Sequence, residues 1–156
     1  MWRLLWIAGV VFVSDQLTKY FASDYLVRHG EVNLSPFLNL VLVHNTGAAF
    51  GFLSSASGWQ NGLFMFVALV ACAFLLWMLS RLNRQEMLLA VALMLILGGA
   101  LGNLLDRVIF GYVIDFIDVH YHHWHWPAFN VADSAITVGA ILLILDTVWL
   151  ARGRRP

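Results

Sequence analysis

Charge is scarce in this chain. Only 12% of its 156 residues are Asp, Glu, Lys or Arg, against about 25% in an ordinary soluble domain, so a water-soluble globule is not the expected class. The few charges also cancel, nine basic against nine acidic, and a chain with no basic excess offers nucleic acid no electrostatic footprint. Cysteine is nearly missing too. Cys72 is alone, so no intramolecular disulfide can form, and its neighbours Val70, Ala71, Ala73 and Phe74 mark it as core filling rather than a reactive thiol. No internal repeat, no low-complexity segment and none of the inverted halves of many transporters is visible.

What is abundant is apolar surface. Hydrophobic residues make up 61% of the chain, with seven Trp and eleven Phe, and the mean hydropathy is +0.78. One small core cannot hide that much, so lipid is the natural solvent. A helix needs roughly 20 mostly apolar residues to cross the hydrocarbon, and residues 4–22, 62–80, 87–106 and 130–151 supply four such runs. The first lacks a small-x-small cleavage site, since Ser14-Asp15-Gln16 follows its apolar stretch, and reads as a retained anchor. The expected fold is a membrane all-α domain spanning 1–156, with four transmembrane helices. Arg3, Arg81, Arg84, Arg152, Arg154 and Arg155 fall on one side of such a four-span chain, which predicts both termini in the cytoplasm. Two longer connections, 23–61 and 107–129, then lie outside. Within the first, residues 32–43 alternate like a strand and Asn45-Thr46-Gly47 supplies a turn before Ala48-Ala49-Phe50-Gly51-Phe52, so a small β-sheet is expected on the outer face. Trp59, Trp124 and Trp126 outside, and Trp2, Trp77 and Trp149 inside, fit an aromatic belt.

The informative residues are those a lipid-embedded chain avoids, because each ionisable group in a span costs a few kcal/mol unless it has a partner or a task. Asp15 and Lys19 are four apart on the first run, as are Asn103 and Arg107 on the third, while Asn130 and Asp133 are three apart on the fourth. Each pair shares a helix face. At ~1.5 Å per residue, Asp15 stands ~18 Å above Arg3, Asn103 ~26 Å above Glu86 and Asp133 ~28 Å above Arg152, so all converge near the outer edge of the hydrocarbon. Asp115 joins them from Gly111-Tyr112-Val113-Ile114-Asp115-Phe116-Ile117-Asp118, a re-entrant-looking segment. Two carboxylates facing one another in a partly dry site share a proton, and such a pair can activate water and protonate a departing amine. The alternative is that both are helix-end acids, with Asp133 capping the fourth helix. Asp118 is assigned an outer-surface role.

Other chemistries fit less well. A serine protease would need a nucleophile elbow, and G-x-S-x-G is absent. The run His120-Tyr121-His122-His123-Trp124-His125 lacks the helical ligand spacing of a zinc site, so no metal and no cofactor is expected. A non-enzymatic scaffold or transporter subunit with four spans remains the alternative from spacing alone.

Five motifs in order favour an enzyme. Asp15-Gln16-Leu17-Thr18-Lys19, Asn45-Thr46-Gly47-Ala48-Ala49-Phe50-Gly51, Gly98-Gly99-Ala100-Leu101-Gly102-Asn103-Leu104-Leu105-Asp106-Arg107, Gly111-Tyr112-Val113-Ile114-Asp115-Phe116 and Phe129-Asn130-Val131-Ala132-Asp133-Ser134 together resemble the motif set of the lipoprotein signal peptidases, or signal peptidase II. The resemblance implies an aspartyl endopeptidase of the bacterial inner membrane, working near the periplasmic face. It would remove the signal peptide of a prolipoprotein just before its diacylglyceryl-modified cysteine. It places the catalytic dyad on Asp115 and Asp133. It also implies that Asn45, Asn103, Arg107 and Asn130 line the site and hold the substrate backbone or globomycin-type inhibitors, with Asp15 and Lys19 as support. The expected partners are prolipoproteins and membrane lipid, and the expected state is a monomer.

Overall fold

The apolar runs become helices where the chain lets them, and each stops for a local reason. In the computed structural model, which describes residues 1–47 and 58–150, a 3-10 turn at Trp2–Leu4 leads into α1 (Leu5–His29), followed by β1 (Val32–Ser35) and β2 (Leu38–Asn45). Then come α2 (Trp59–Arg81), α3 (Met87–Phe110), β3 (Val113–Tyr121), β4 (Trp124–His125) and α4 (Val131–Leu145), which runs on into a π-helical turn at Asp146–Leu150. The stretch Ala48-Ala49-Phe50-Gly51-Phe52 and the arginines at 152, 154 and 155 lie outside the described residues. α3 ends at Gly111, whose φ of 83° is one that side chains resist, while its N–H still reaches the Arg107 carbonyl at 3.1 Å. The chain turns there directly into β3.

α3 is the centre of the helical layer, packing against α1, α2 and α4. Two glycines make the approach close. A Cβ on Gly98 would stand 2.7 Å from the Ala8 carbonyl oxygen, and one on Gly102 would stand 2.5 Å from Oδ2 of Asp15, so their small-x-x-x-small spacing lets α1 approach closely. Ala8, Cys72, Leu75, Leu79, Ala90, Leu93, Met94 and Leu97 form one apolar cluster between α1, α2 and α3. Cys72 is buried and unpaired there, as core filling requires. Among the described residues three helical segments are long and apolar enough to cross a membrane: Trp59–Arg81, Met87–Phe110 and Val131–Val148. α1, which carries Asp15, Lys19, Asp24 and Arg28, is not among them.

The strands form one antiparallel sheet in the order β1-β2-β3-β4. The sheet is larger than the sequence suggests. The segment around Asp115 looks re-entrant because it lacks polar alternation, yet it is the strand β3, with Val113, Ile114, Asp115, Phe116 and Asp118 all buried. A strand covered on both faces loses the alternation that would reveal it. The β2–β3 register holds Asn39 opposite Asp118 and Leu40 opposite Ile117, but then Val43 opposite Asp115 and Asn45 opposite Val113. β2 therefore carries one extra residue between Leu40 and Val43, a β-bulge.

Candidate active site

The bulge decides what faces what. Side chains alternate across a strand, so a one-residue shift moves everything beyond it to the other face. With the register of Asn39 and Leu40 carried on unchanged, Asn45 would point away from Asp115. With the bulge the two share a face, and Asn45 Nδ2 donates to Asp115 Oδ2 at 2.9 Å.

Asn130 completes the junction. It is the N-cap of α4, accepting the backbone N–H of Asp133 on its own Oδ1 at 2.9 Å, while Asp133 Oδ2 accepts the backbone N–H of Asn130 at 3.2 Å. This is a reciprocal capping box. The helix-end reading of Asp133 is thus correct in part: the residue sits at the third helical position and one oxygen serves the cap. The Nδ2 of Asn130, turned the other way, donates to Asp115 Oδ1 at 2.7 Å. Hydrogen bonds from Phe116 and Ile117 N–H to the Phe129 carbonyl, at 3.1 and 2.9 Å, tie the approach to Asn130 onto β3. One residue thereby links both carboxylates, Asp115 through its side-chain amide and Asp133 through its backbone N–H. The second oxygen of Asp133, Oδ1, accepts from Asn103 Nδ2 at 2.8 Å.

Asp15 and Lys19 lie one layer behind. Lys19 Nζ meets Asp15 Oδ2 at 2.7 Å, Asp106 Oδ2 at 2.8 Å and Asn103 Oδ1 at 3.0 Å. All three charged groups are at most 1% exposed. The cluster ties the elements together: Asp15 Oδ1 accepts the Ala132 N–H of α4 at 2.9 Å, and Asp106 Oδ2 accepts the Ile114 N–H of β3 at 3.1 Å. Gln16 Nε2 donates to Asp106 Oδ1 at 3.0 Å. Asp106 and Gln16 stand in the quoted motifs without an expected role, although Asp106 is three residues from Asn103 and so shares its helix face. Arg107 points elsewhere. Its Nη2 donates to the Gly47 carbonyl at 3.0 Å, and its guanidinium lies 5.4 Å from the centre of the Phe64 ring on α2.

A cavity of about 550 Å³ opens onto this arrangement, lined by Asn45, Asn103, Arg107, Asp115 and Asp133 among others, and walled by Trp126 to Phe129 and by the first turns of α4. Asn130, Asp15 and Lys19 support it from behind. Asp115, outside the helices, is pushed up to about 7 by its burial and by the nearby charge of Asp133, against the amide N–H groups of Asn45 and Asn130 and the Lys19 ammonium. A carboxyl held in this way carries a proton near neutrality, beside a second carboxyl in the same cavity. Two carboxyls in one cavity, one with a raised proton affinity, are what acid–base chemistry requires.

The outer acid Asp118 takes a different part from the surface role assigned to it. It is buried in the sheet, accepting from Asn39 Nδ2 at 2.9 Å and meeting His125 Nδ1 at 2.9 Å. Burial raises its carboxyl, but these bonds, with the His120 and His125 rings nearby, hold it below the usual range. The two rings stack at 5.0 Å, so two of the run's histidines serve the β3–β4 hairpin.

The model of the family described as signal peptidase (SPase) II matches residues 7–149 of the chain. Over 144 residues the chain is 51% identical to a lipoprotein signal peptidase of Pseudoalteromonas atlantica, covering 92% of this chain and 88% of that one. Over 155 residues it is 51% identical to a lipoprotein signal peptidase of Acinetobacter baumannii, covering 97% and 88%. A solved structure described as a bacterial membrane enzyme, obtained by the in meso method, superposes with a TM-score of 0.84 at 31% identity, covering 99% of this chain and 93% of that one.

Proposed function

Because the chain belongs to the signal peptidase II family, a family of membrane peptidases that process prolipoproteins, we propose that it cleaves by an aspartic mechanism with Asp115 and Asp133 as the reacting pair. The observation that carries this reading is the double engagement of Asn130, which holds Asp115 by its amide and Asp133 by the capping box at one cavity wall. Two carboxylates kept side by side by neutral amides cannot both ionise cheaply, so one retains a proton. The ionised member takes a proton from water as the water oxygen attacks the scissile carbonyl, and the protonated member gives its proton to the carbonyl oxygen. Collapse returns that proton to the acid and delivers the base's proton to the leaving amine. The scissile bond is the one just before the diacylglyceryl-modified cysteine. Asn45 and Arg107, in the cavity lining, hold the peptide main chain, and globomycin-type inhibitors occupy the same space.

α1 is the fourth span in this reading. Its charged residues Asp15 and Lys19 are buried against α3 and neutralised there, whereas Trp6, Val10, Val13, Leu17 and Phe21 stand exposed at helical spacing, a stripe suited to lipid. With four spans, Arg3, Arg81 and Arg84 favour cytoplasmic termini in the bacterial inner membrane. The carboxylate layer then lies near the periplasmic face of a monomer.

Asp115→Asn and Asp133→Asn should each abolish cleavage of a lipidated prolipoprotein by purified protein in detergent, while keeping a cooperative thermal transition. The double variant should be no worse, because partners in one step are grossly non-additive. Turnover by either single variant at about a tenth of the parent rate or more would sink the aspartic reading.

A further inference from the structure

The two carboxylates are held by different chemistry. Lysine ammonium only donates and an ionised carboxylate only accepts, so Asn103, between Lys19 Nζ at 3.0 Å and Asp133 Oδ1 at 2.8 Å, is fixed with Oδ1 toward the cation and Nδ2 toward the acid. An ammonium on the carbonyl side draws density from the amide nitrogen and sharpens the N–H that Asp133 receives. Asp115 has no such backing. Its donors Asn45 and Asn130 are oriented by backbone N–H groups, of Gly47 at 3.0 Å and of Asp133 at 2.9 Å. Asn103 is moreover largely spent, since its Oδ1 also accepts from Asn130 Nδ2 at 3.2 Å.

We propose that the chain Lys19–Asn103–Asp133 fixes the roles within the pair: Asp133 enters the reaction ionised, as the base, and Asp115 enters protonated, as the acid, with Lys19 and Asn103 as positioning residues. The inference rests on the aspartic reading above. Water's proton passes to Asp133 while its oxygen bonds to the scissile carbon, and the Asp115 proton passes to the carbonyl oxygen. When the C–N bond breaks, Asp133 gives its proton to the amine and Asp115 recovers its own from the tetrahedral hydroxyl, so both return to their starting states. Both oxygens of Asp115 already receive amide N–H groups, which leaves its own O–H to the cavity. The charged groups around Asp133 are Lys19 and Asp15 from α1, Arg107 from α3 and Asp115 from β3, with Asp106 of α3 paired to Lys19. Only Lys19 among them reaches Asp133 through one oriented amide.

The test is the pH profile of kcat/KM on a diacylglyceryl-modified prolipoprotein peptide for the parent, Asn103→Ala, Asn103→Ser and the double variant Lys19→Gln with Asp106→Asn. The acid limb reports ionisation of the base, so removing the chain should move it to higher pH by about half to one pH unit and shift the alkaline limb by less than half as much. Movement of the alkaline limb alone, equal movement of both, or a fall in rate with neither limb moved overturns the assignment. So does loss of the folded thermal transition in all three variants, which would make the chain structural only. Activity surviving in Asp115→Asn or Asp133→Asn would instead defeat the aspartic reading itself, so the two failures are distinguishable.

Discussion

Asparagine rather than arginine side chains hydrogen-bond the pair, and this sets its behaviour. An amide lends a hydrogen bond without a charge, so it orients a carboxylate without neutralising it, whereas a guanidinium contact would favour ionisation strongly. Asp115 keeps a raised proton affinity, about 7 against an ordinary 3.8. Between about pH 4 and 7 the native protein therefore holds a proton that the unfolded chain has released, and stability falls as pH rises through that window. The variant Asp115→Asn cannot ionise and escapes this loss. Its thermal transition in detergent should be near the parent's at pH 4.5 and above it at pH 8, by at most about 4 kcal/mol of unfolding free energy. A variant less stable than the parent at both values would show that the carboxylate form is well accommodated. The acids themselves were legible in the sequence, because an ionisable residue amid apolar ones is conspicuous. Their partners were less so: Asp106 is only one more polar residue near a helix end until Lys19 is seen to need a second carboxylate.

At the scale of elements, the helices were readable and the sheet was half readable. Expected spans of 62–80 and 87–106 became Trp59–Arg81 and Met87–Phe110, since an apolar run is a direct signature of burial in lipid. The first helix extends past 22 to His29, because helix propensity does not stop where hydropathy does. The fourth changes to π-helical winding at Asp146, which residue type does not announce. β3 hid because both its faces are covered, and the β2 bulge hid because an irregular register leaves no mark in composition. Yet that bulge aims Asn45 at Asp115. Deleting Leu42 would restore an even register with Val43 still opposite Asp115 and Asn45 still opposite Val113, so Asn45 would keep its face. Asn45→Ala should lower kcat/KM at least about 10-fold if the lost bond is worth 1.4 kcal/mol or more, and the deletion should lower it by less. A deletion variant as impaired as Asn45→Ala would mean that the local bend of the bulge, and not its residue count alone, aims Asn45.

At the scale of the whole molecule, the cavity lies where the sheet meets the helix layer, and its wall along α4 includes Thr137 and Val138 on the exposed outer side. On the aspartic reading, a peptide that reaches Asp115 and Asp133 would enter beside that helix face. The polar groups of this groove, Asn45, Asn103 and Arg107, sit with the carboxylates, and most of its remaining surface is apolar. Recognition must draw on groups that already reside in the bilayer, and each buried CH₂ of an acyl chain contributes about 0.8 kcal/mol to holding them there. Confinement alone raises local concentration, but correct depth also removes the translational and rotational cost of bringing the scissile carbonyl to the carboxylates. The two effects separate experimentally. Paired substrates sharing one signal sequence, with and without the diacylglyceryl group on the cysteine, are reconstituted at matched membrane concentration, so that partitioning no longer differs. The lipidated substrate should still be cleaved at least about 100-fold more efficiently, with the gain in kcat as well as KM, because positioning acts on the reacting geometry. Equal efficiency at matched concentration would reduce the lipid to a membrane anchor and leave the groove between α4 and the sheet to select by peptide sequence alone.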